Sequence, residues 1–459
     1  MKRRLYPLIA WLALLFVILP FTTTATAEPL EEIRQLVKDH YVDEVSDTVL
    51  MRGSGRQITD GLDPYSVYMS AKEFNTFLNE IEQRIVGIGV VLAESNEGIV
   101  VTSVILGGPA DKGGIVAGDI ITHVNGISLH AKPVSAAISL IGGIEGTPVK
   151  LSIIHQQEKR DVTIKRAEIH LPTVEAEKLG GNVGYIRLNS FATDSAREMS
   201  RVIQAMQDAE SFIIDLRDNG GGYIIAAQEV TGFFPNVPNA FQLRERNKEP
   251  EVYTAIKQKV NLKGRISLLI NQNSASASEM LAVNVKEMGA AKLYGQTTYG
   301  KGTMQSMYSF QDGSALKLTT ARFYSPKGQA VDALGVKPDV LTDIGKEVER
   351  AHYDHLKEKY KTYKELPTLK EVSSDKVFTV NLTTMMDQKT MDASAIELIQ
   401  LGGQEVSVHV EVVDGQTVKI IPDELLESEQ SYLLVIHPQW KDLKGKQVKD
   451  GIQLKVTIK

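Results

Sequence analysis

The sequence predicts a multidomain α/β protein that also contains a helical region and two modules rich in strands. An apolar run from Ile266 to Ile270 has the length of a buried strand, and a helical pattern begins shortly after it. A second buried strand runs from Phe212 to Arg217 and ends in a run of glycines. Strands alternate with glycine turns through residues 84–170, and five strand patterns at the spacing of a β-sandwich lie in residues 375–459.

Changes in pattern divide the chain into six segments. Apolar residues follow helical spacing after the first stretch of the chain, and a later charged stretch with helical pattern predicts a surface helix or linker. The predicted segments are a leader at 1–27, a helical region at 28–83, a strand-and-turn module at 84–170, an α/β core at 171–345, a charged helical linker at 346–374 and a β-sandwich at 375–459.

Residues 1–27 have the three parts of a secretory leader. Lys2 to Arg4 form a basic start, Leu8 to Leu19 is an unbroken apolar stretch, and Ala25 to Ala27 is a small-x-small cleavage site. An uncleaved N-terminal anchor is the alternative, although the apolar stretch is short for a membrane span and Pro20 interrupts it. Either interpretation places the rest of the chain outside the cytoplasm.

Composition excludes several classes of site. The chain has no cysteine, which excludes disulfides, thiolate catalysis and cysteine metal sites. The net charge of −6 becomes more negative when the basic leader is removed, which argues against a nucleic-acid partner. His352 and His355 lie one helical turn apart, but no third ligand is visible, so we expect solvated histidines rather than a metal pair. The sequence therefore predicts no cofactor and no metal.

A serine lies at a sharp strand-to-helix turn in the predicted core. The small residues from Ser274 to Ser278 follow the buried strand, so the hydroxyl of Ser276 can be exposed beside N–H groups at a helix N-terminus. Lys301 follows later in the chain, between two glycines. Because no histidine lies between His170 and His352, a serine nucleophile here needs another base, and lysine is the known substitute.

These residues resemble the active-site segment of the carboxy-terminal processing peptidases, also called tail-specific proteases, which are serine peptidases of Ser-Lys type with a PDZ domain. The resemblance implies that Ser276 is the nucleophile, Lys301 the general base and Gln305 the residue that orients the lysine. It extends to Val340, and Gly61 to Ser66 is similar to the signature that precedes the PDZ domain in this family. A crotonase-like or ClpP-like peptidase core is the implied fold.

The proposed chemistry requires Lys301 to act as a neutral amine. A free lysine has a pKa of about 10.4, so Lys301 must be buried or placed near positive charge. Gln305 follows Lys301 by four residues along a predicted strand, and residues at this spacing lie on the same face of a strand. Its amide can accept a hydrogen bond from the amine, whereas a carboxylate at that position would raise the lysine pKa.

The resemblance also implies an oxyanion hole made of two backbone N–H groups. One is the N–H of Ala277, which directly follows the serine. The other comes from the glycine turn after the strand that ends at Arg217, and we assign it to Gly222 with Gly221 as the close rival. One such donor contributes on the order of 3 kcal/mol to the stabilisation of the transition state.

Residues 84–170 resemble a PDZ domain. Gly87, Ile88, Gly89 and Val90 resemble its carboxylate-binding loop, whose N–H groups capture a peptide C-terminus while the peptide pairs with a sheet edge. Pro133 to Ile141 predicts the helix beside the groove. In bacterial relatives an arginine after this helix couples the PDZ position to the active site, and here that position is Gly142. A PDZ-shaped module that binds nothing is the alternative.

Residues 375–459 resemble the bacterial Ig-like domains of envelope proteins, and they lie outside the common peptidase architecture. Taken together, the motifs predict an extracytoplasmic serine endopeptidase that binds substrate C-termini through a barrel-like PDZ domain. We expect protein or peptide substrates with free apolar C-termini, an envelope partner of the Ig-like domain or a homodimer, and no nucleic acid. The alternative function is a PDZ-bearing envelope scaffold with an inactive peptidase core.

Overall fold

A computed structural model of the protein describes residues 28–459. The predicted leader, residues 1–27, lies outside the described residues. In the part of the chain that is described, no helix is both long and apolar enough to cross a membrane.

The N-terminal region is helical and packs on the core. The apolar faces of its first and third helices bury Ile33, Val37 and Ile58 against Leu316 and Leu318. Its last helix begins directly after a serine that forms a capping box with a glutamate three residues on, which satisfies two N–H groups at the helix start. The elements are α1 (Leu30–His40), α2 (Asp47–Leu50), α3 (Gly55–Thr59), β1 (Val67–Met69) and α4 (Ala71–Ile81).

The next module is an antiparallel sheet covered by two helices. Its elements are β2 (Arg84–Gly87), β3 (Val90–Ser95), β4 (Gly98–Val104), α5 (Pro109–Lys112), β5 (Ile120–Val124), β6 (Ile127–Ser128), α6 (Val134–Ile141), β7 (Pro148–His155), β8 (Glu158–Lys165) and β9 (Ala167–His170). The strand order is β3-β4-β5-β7-β8, with β6 on β5. Strands β2 and β9 pair with each other as a separate ribbon through which the chain enters and leaves the module.

This sheet is open, so the predicted barrel-like closure is wrong. Strands β3 and β8 lie at opposite ends of the sheet order and pair with different partners. Helix α6 packs against β3 and β5, and it covers the apolar face that a closed barrel would bury inside itself.

The core contains two sheets with helices between and around them. Its elements are β10 (Val174–Leu179), β11 (Val183–Leu188), α7 (Ser195–Ala205), β12 (Ser211–Asp215), α8 (Ile224–Thr231), β13 (Asn239–Glu245), β14 (Glu251–Thr254), β15 (Ile266–Ile270), α9 (Ala277–Glu287), β16 (Lys292–Gly295), β17 (Thr303–Ser309), β18 (Ala315–Tyr324) and β19 (Val340–Leu341). The first sheet has the order β10-β11-β12-β15-β16-β19 and is parallel except for β10. The second is antiparallel, with β18 between β1 and β13 and β17 also paired to β18.

The parallel sheet determines where the site lies. Strands β12 and β15 are adjacent and parallel, so the turns that follow them leave the same edge of the sheet. The turn after β12 contains the glycines 220–222, and the turn after β15 leads into α9 through Ser276. Buried Asp215 pairs with the half-buried Arg217 at the end of β12, and Arg217 also binds Glu347 at 2.6 Å, which holds the glycine turn in place.

The C-terminal part forms two further sheets behind a helix. Its elements are α10 (Glu347–Lys359), β20 (Lys364–Val372), β21 (Phe378–Asn381), β22 (Ile396–Gln400), β23 (Glu405–Val406), β24 (Val408–Val412), β25 (Thr417–Pro422), β26 (Ser431–Ile436) and β27 (Ile452–Ile458). One sheet has the order β20-β27-β26-β22-β23 and the other β21-β25-β24. Between them lies an apolar core that includes Phe378, Tyr432 and Trp440.

The segment predicted as a charged linker, residues 346–374, is divided between two roles. Its first half is α10, which packs Val348 and Ala351 against the parallel sheet and Leu356 against Ile399 of the C-terminal part. Its second half is β20, which pairs in parallel with β27 and is mostly exposed. The C-terminal part is therefore joined to the core by a shared helix rather than by a free linker.

The expectation of solvated histidines at 352 and 355 is wrong, because both side chains are buried. His352 donates from Nε2 to the carbonyl of Gly180 at 2.8 Å and accepts at Nδ1 from the N–H of Gly402 at 2.9 Å. The ring nitrogens of His355 lie 2.8 Å from the hydroxyls of Ser211 and Ser267. In the described part of the chain no group of three potential ligands could hold a metal ion.

Acid should destabilise the protein through these two histidines. Burial lowers the pKa of His352 to about 4 and that of His355 to about 3. An unfolded histidine titrates near 6.5. Below about pH 6.5 the unfolded state therefore binds more protons than the folded state, and the free energy of unfolding decreases as the pH is lowered. We expect urea unfolding to show this loss between about pH 7 and pH 5. His355→Gln, which keeps a donor and an acceptor, should reduce the slope, and His409→Gln at an exposed site should not. Equal slopes in all three proteins would contradict the prediction.

Candidate active site

Ser276 lies at the N-terminus of α9 in a strained backbone conformation. Its φ is +57° and its ψ is −114°. A non-glycine residue is rarely found at positive φ, and such strain is typical of the turn that exposes a nucleophile between a strand and a helix. The two neighbouring serines are buried and bind the turn after β12: Ser274 Oγ donates to the carbonyl of Leu216, and Ser278 Oγ to that of Asn219, both at 2.8 Å. The hydroxyls of Ser274 and Ser278 therefore stabilise the turn, which leaves Ser276 as the candidate nucleophile of the three serines.

The Lys301 amine lies between the serine and Gln305. Its Nζ is 3.5 Å from Ser276 Oγ and donates to Gln305 Oε1 at 2.6 Å. The Oγ distance is long for a hydrogen bond, as is common for catalytic contacts in unliganded enzymes. The structure thus brings together all three residues that the sequence predicts for the dyad and its orienting amide.

Burial and, to a smaller extent, the positive charge of Lys317 lower the pKa of Lys301 to about 8. Three carboxylates oppose this shift: Glu279, Asp63 and Asp332. Because burial prevails, a useful fraction of the amine is neutral near physiological pH, which a general base requires.

The contact between Lys301 and Gln305 has a different origin from the predicted one. Lys301 lies in the turn before β17, which begins at Thr303, and the pairing of β17 with β18 shifts register between Met304 and Gln305. The argument from a shared strand face therefore does not apply. The lysine side chain reaches the amide from the turn, and its Nζ also lies 3.5 Å from the carbonyl of Thr303 at the start of β17.

The two oxyanion candidates have different surroundings. The N–H of Ala277 is the first of α9, and such groups lack an acceptor within the helix. The N–H of Gly221 donates to Asn219 Oδ1 at 2.8 Å, which favours Gly222 as the second donor. Gly221 itself packs on the nucleophile, since a Cβ at this position would lie 2.9 Å from the Cβ of Ser276.

Glu279 connects the serine turn to the lysine turn, and the sequence analysis gave it no role. Its Oε2 accepts from the N–H groups of Ser276 and Lys301, both at 2.9 Å. Its Oε1 accepts from Thr298 Oγ1 at 2.6 Å and from the N–H of Gly300 at 2.7 Å. The side chain is fully buried, and burial raises its pKa. Its position three residues after the serine, as in a capping box, was the available signal.

The predicted carboxylate-binding loop lies at the start of the PDZ-like sheet. Gly87 ends β2, Val90 begins β3, and Ile88 is buried between them. The carbonyls of Ile88 and Gly89 accept from the N–H groups of Ala110 and Ile105 at 2.8 and 2.9 Å. These bonds fix the loop from its carbonyl side, and Gly89 has a φ of +79°.

Arg166 binds the C-terminus of α6, the helix beside the predicted peptide groove. The sequence analysis did not identify this contact. The side chain is mostly buried and donates to the carbonyls of Ile141 at 2.6 Å and Leu140 at 3.0 Å. Arg166 lies between β8 and β9, at the exit from the module. With Gly142 at the usual arginine position, this contact is the charged connection between the groove helix and the ribbon that leads to the core.

Comparisons with known proteins agree with this architecture. Residues 182–342 match the model of peptidase family S41, and residues 86–165 match that of the PDZ domain. Residues 182–342 are therefore similar to peptidase family S41, and a segment similar to the PDZ domain precedes them.

Curated relatives and solved structures cover much of the chain. A probable CtpA-like serine protease of Staphylococcus epidermidis is 36% identical over 323 residues, which are 69% of this chain and 65% of the relative. One from Staphylococcus aureus is 33% identical over 332 residues, 71% of this chain and 66% of the relative. The chain thus spans just under two thirds of the length of these relatives. A photosystem II D1 C-terminal processing protease aligns with a TM-score of 0.45 and 23% identity, over 68% of this chain and 92% of that one.

Hydrolysis by this site should rise with pH. The base must be neutral, so the rate should increase through the Lys301 pKa of about 8 and level off above it. Gln305→Glu places a negative charge beside the amine, which raises its pKa, so activity should fall near neutral pH and recover partly in alkali. Rates on an unfolded protein substrate across pH measure both effects. A profile for Gln305→Glu that superimposes on the wild type would remove Gln305 from the surroundings of the lysine.

Glu279→Gln should lower both activity and stability. A glutamine keeps the shape but has one acceptor oxygen, so its NH₂ group must face two of the four donors that the carboxylate serves. Leaving a buried donor unsatisfied costs about 1–3 kcal/mol. Thermal unfolding and hydrolysis rates test this. Glu287→Gln is the matched control, because that carboxylate binds Ser325 and Lys327 near the far end of the same helix; it should lower stability alone. Activity lost equally in both variants would contradict the special role of Glu279.

Proposed function

We propose that the protein is an extracytoplasmic serine endopeptidase that binds substrate C-termini through its PDZ domain and cleaves peptide bonds with Ser276 and Lys301. The observation that carries the proposal is the position of a partly buried lysine, with a pKa lowered to about 8, between Ser276 Oγ and Gln305 Oε1. The match of residues 182–342 to peptidase family S41 supports the same reaction class.

The residues of the site provide each step of amide hydrolysis. Ser276 Oγ attacks the scissile carbonyl while neutral Lys301 takes the hydroxyl proton. The resulting oxyanion receives hydrogen bonds from the N–H groups of Ala277 and Gly222. The lysine then gives its proton to the leaving amine as the C–N bond breaks, which leaves an acyl ester on Ser276. A water molecule, deprotonated by the same amine, attacks the ester, and the departing serine oxygen recovers a proton.

The PDZ domain supplies selection in this proposal. A peptide carboxylate would bind the N–H groups of the loop from Gly87 to Val90, and the peptide would pair with the edge of β3. The free edge of β3 in the strand order supports this arrangement. Binding there would tether a substrate by its tail while an upstream segment enters the core.

The remaining parts of the chain suit a protein of the cell envelope. We propose that residues 1–27 direct the protein out of the cytoplasm, either as a cleaved leader or as an anchor. The two-sheet C-terminal part, with its core around Trp440, supports assignment as an Ig-like β-sandwich. An envelope partner bound through this domain, or a homodimer, is its proposed role.

Cleavage of an unfolded protein with an apolar C-terminus tests the enzymatic proposal. Wild type should release fragments detectable by mass spectrometry, while Ser276→Ala and Lys301→Ala should each abolish cleavage and leave folding and peptide binding intact. The double variant should be little worse than either single one, because residues acting as one unit are not additive. Full activity in Lys301→Ala would eliminate the dyad. Peptide binding without any cleavage by the wild type would favour the alternative of an inactive PDZ scaffold.

Binding of end-modified peptides tests the PDZ proposal separately. In Ser276→Ala, which prevents turnover, a peptide with a free C-terminal carboxylate and an apolar last residue should bind well above its amidated counterpart. The reason is that amidation removes the negative charge that the loop N–H groups receive. Equal affinities in a calorimetric titration would reject capture of C-termini.

A further inference from the structure

The amide of Gln305 can help the base only in one of its two orientations. With Oε1 toward Lys301 it accepts a hydrogen bond from the amine, whereas Nε2 in that place would present a donor to a donor. Something must therefore distinguish the two ends of this amide.

Two hydroxyls contact the nitrogen end of the amide. Gln305 Nε2 lies 3.0 Å from Thr303 Oγ1 and 3.2 Å from Thr319 Oγ1. A hydroxyl can donate or accept, so a threonine alone does not determine which end of an amide faces it. Thr303 therefore leaves the choice open.

Thr319 differs, because its proton is committed to a carboxylate. Its Oγ1 donates to Asp63 Oδ1 at 3.0 Å, and a carboxylate only accepts. The Thr319 oxygen can then only accept a hydrogen bond from any other neighbour. The end of the Gln305 amide that faces it must therefore be the donor, Nε2. The order of donors then runs from Lys301 to Gln305, from Gln305 to Thr319, and from Thr319 to Asp63.

Asp63 and Thr319 are themselves held firmly. Asp63 Oδ1 also accepts from the N–H of Tyr65 at 2.8 Å and that of Ser66 at 3.1 Å, an arrangement typical of an aspartate-stabilised turn. The hydroxyl of Ser66 accepts from the N–H of Thr319 at 3.0 Å. Thr319 is fully buried on β18. The turn that precedes the PDZ module thus binds both the backbone and the side chain of one core threonine.

We propose that Asp63 and Thr319 are positioning residues that fix the amide of Gln305 with its oxygen toward Lys301. The role of the base rests on the proposed function. The hydrogen-bond chain itself is a property of the fold, and it joins the helical N-terminal region to the catalytic lysine. The turn from Asp63 to Ser66 thereby acquires a function that its distance from Ser276 in the sequence conceals.

Thr319→Val removes the hydroxyl with little change of shape, and its neighbour provides the matched control. Thr320 is also buried on β18, and its hydroxyl pairs with that of Ser306 at 2.8 Å, away from the lysine. Thr319→Ser keeps the hydroxyl and should restore the wild-type behaviour. If Thr319→Val does not fold, Thr319→Ala is used in its place.

The first measurement is the titration of Lys301 itself, followed by NMR with ¹³C at lysine Cε and assigned with Lys301→Arg. The amine of Lys301 faces Glu279 of α9, Asp332 of the loop after β18, Asp63 and Tyr65 of the N-terminal turn, and Lys317 of β18. All of these remain in every variant. Loss of a fixed acceptor should lower the pKa of Lys301 in Thr319→Val relative to wild type, while Thr319→Ser and Thr320→Val keep the wild-type value.

The second measurement is the pH dependence of kcat/KM. Thr319→Val should show a lower plateau, by about tenfold or more as for a displaced catalytic group, with its midpoint moved to lower pH. A wild-type titration and plateau in Thr319→Val, or the same changes in Thr320→Val, would overturn the proposal. If the wild type cleaves nothing, the proposed function fails, while the NMR titration still decides the orientation of Gln305.

Discussion

A single buried carboxylate fixes the distance between Ser276 and Lys301, the proposed nucleophile and base. Glu279 receives N–H groups from the residue that carries the hydroxyl and from the residue that carries the amine, so the two turns cannot separate without breaking hydrogen bonds in a dry environment. The parallel sheet brings the turns to one edge, but it does not set their spacing to within an ångström. That precision comes from the four donors around one side chain.

The same carboxylate creates an electrostatic problem that the rest of the site resolves. Negative charge at Glu279, Asp63 and Asp332 favours a protonated lysine, which cannot act as a base. Burial of the amine outweighs them, and Lys317 adds positive charge on the same side. Gln305 contributes orientation without charge. The amine of Lys301 is therefore positioned by a neutral side chain, while the carboxylates around it accept hydrogen bonds from N–H groups and hydroxyls.

Much of the fold could be predicted because its central strands are continuous apolar runs. Strand β15 has the predicted bounds for this reason. Strand β20 could not be recognised, since it is exposed, charged and interrupted by Pro367, which is tolerated at a sheet edge. His352 and His355 looked solvated because most residues around them in the sequence are charged, whereas the structure buries their side of α10 against the core and the C-terminal part.

The three proposed catalytic residues were predictable from a local motif, whereas the residues that support them were not. Ser276, Lys301 and Gln305 lie within one short segment of recognisable pattern. The partners of Glu279 lie in a separate turn, and Thr319 meets Asp63 across 256 positions of sequence. No periodicity encodes such pairs. The contact between Thr319 and Asp63 arises when β1 and the turn before it dock on β18.

The backbone at Ser276 also has a consequence for the protein as a whole. A side chain held at positive φ costs on the order of 1–3 kcal/mol, a sizeable part of the margin by which a domain stays folded. Glycine would adopt the same conformation without that cost. Replacing Ser276 with glycine would therefore stabilise the fold while removing the proposed nucleophile, so this turn keeps a reactive group at the expense of thermodynamic stability.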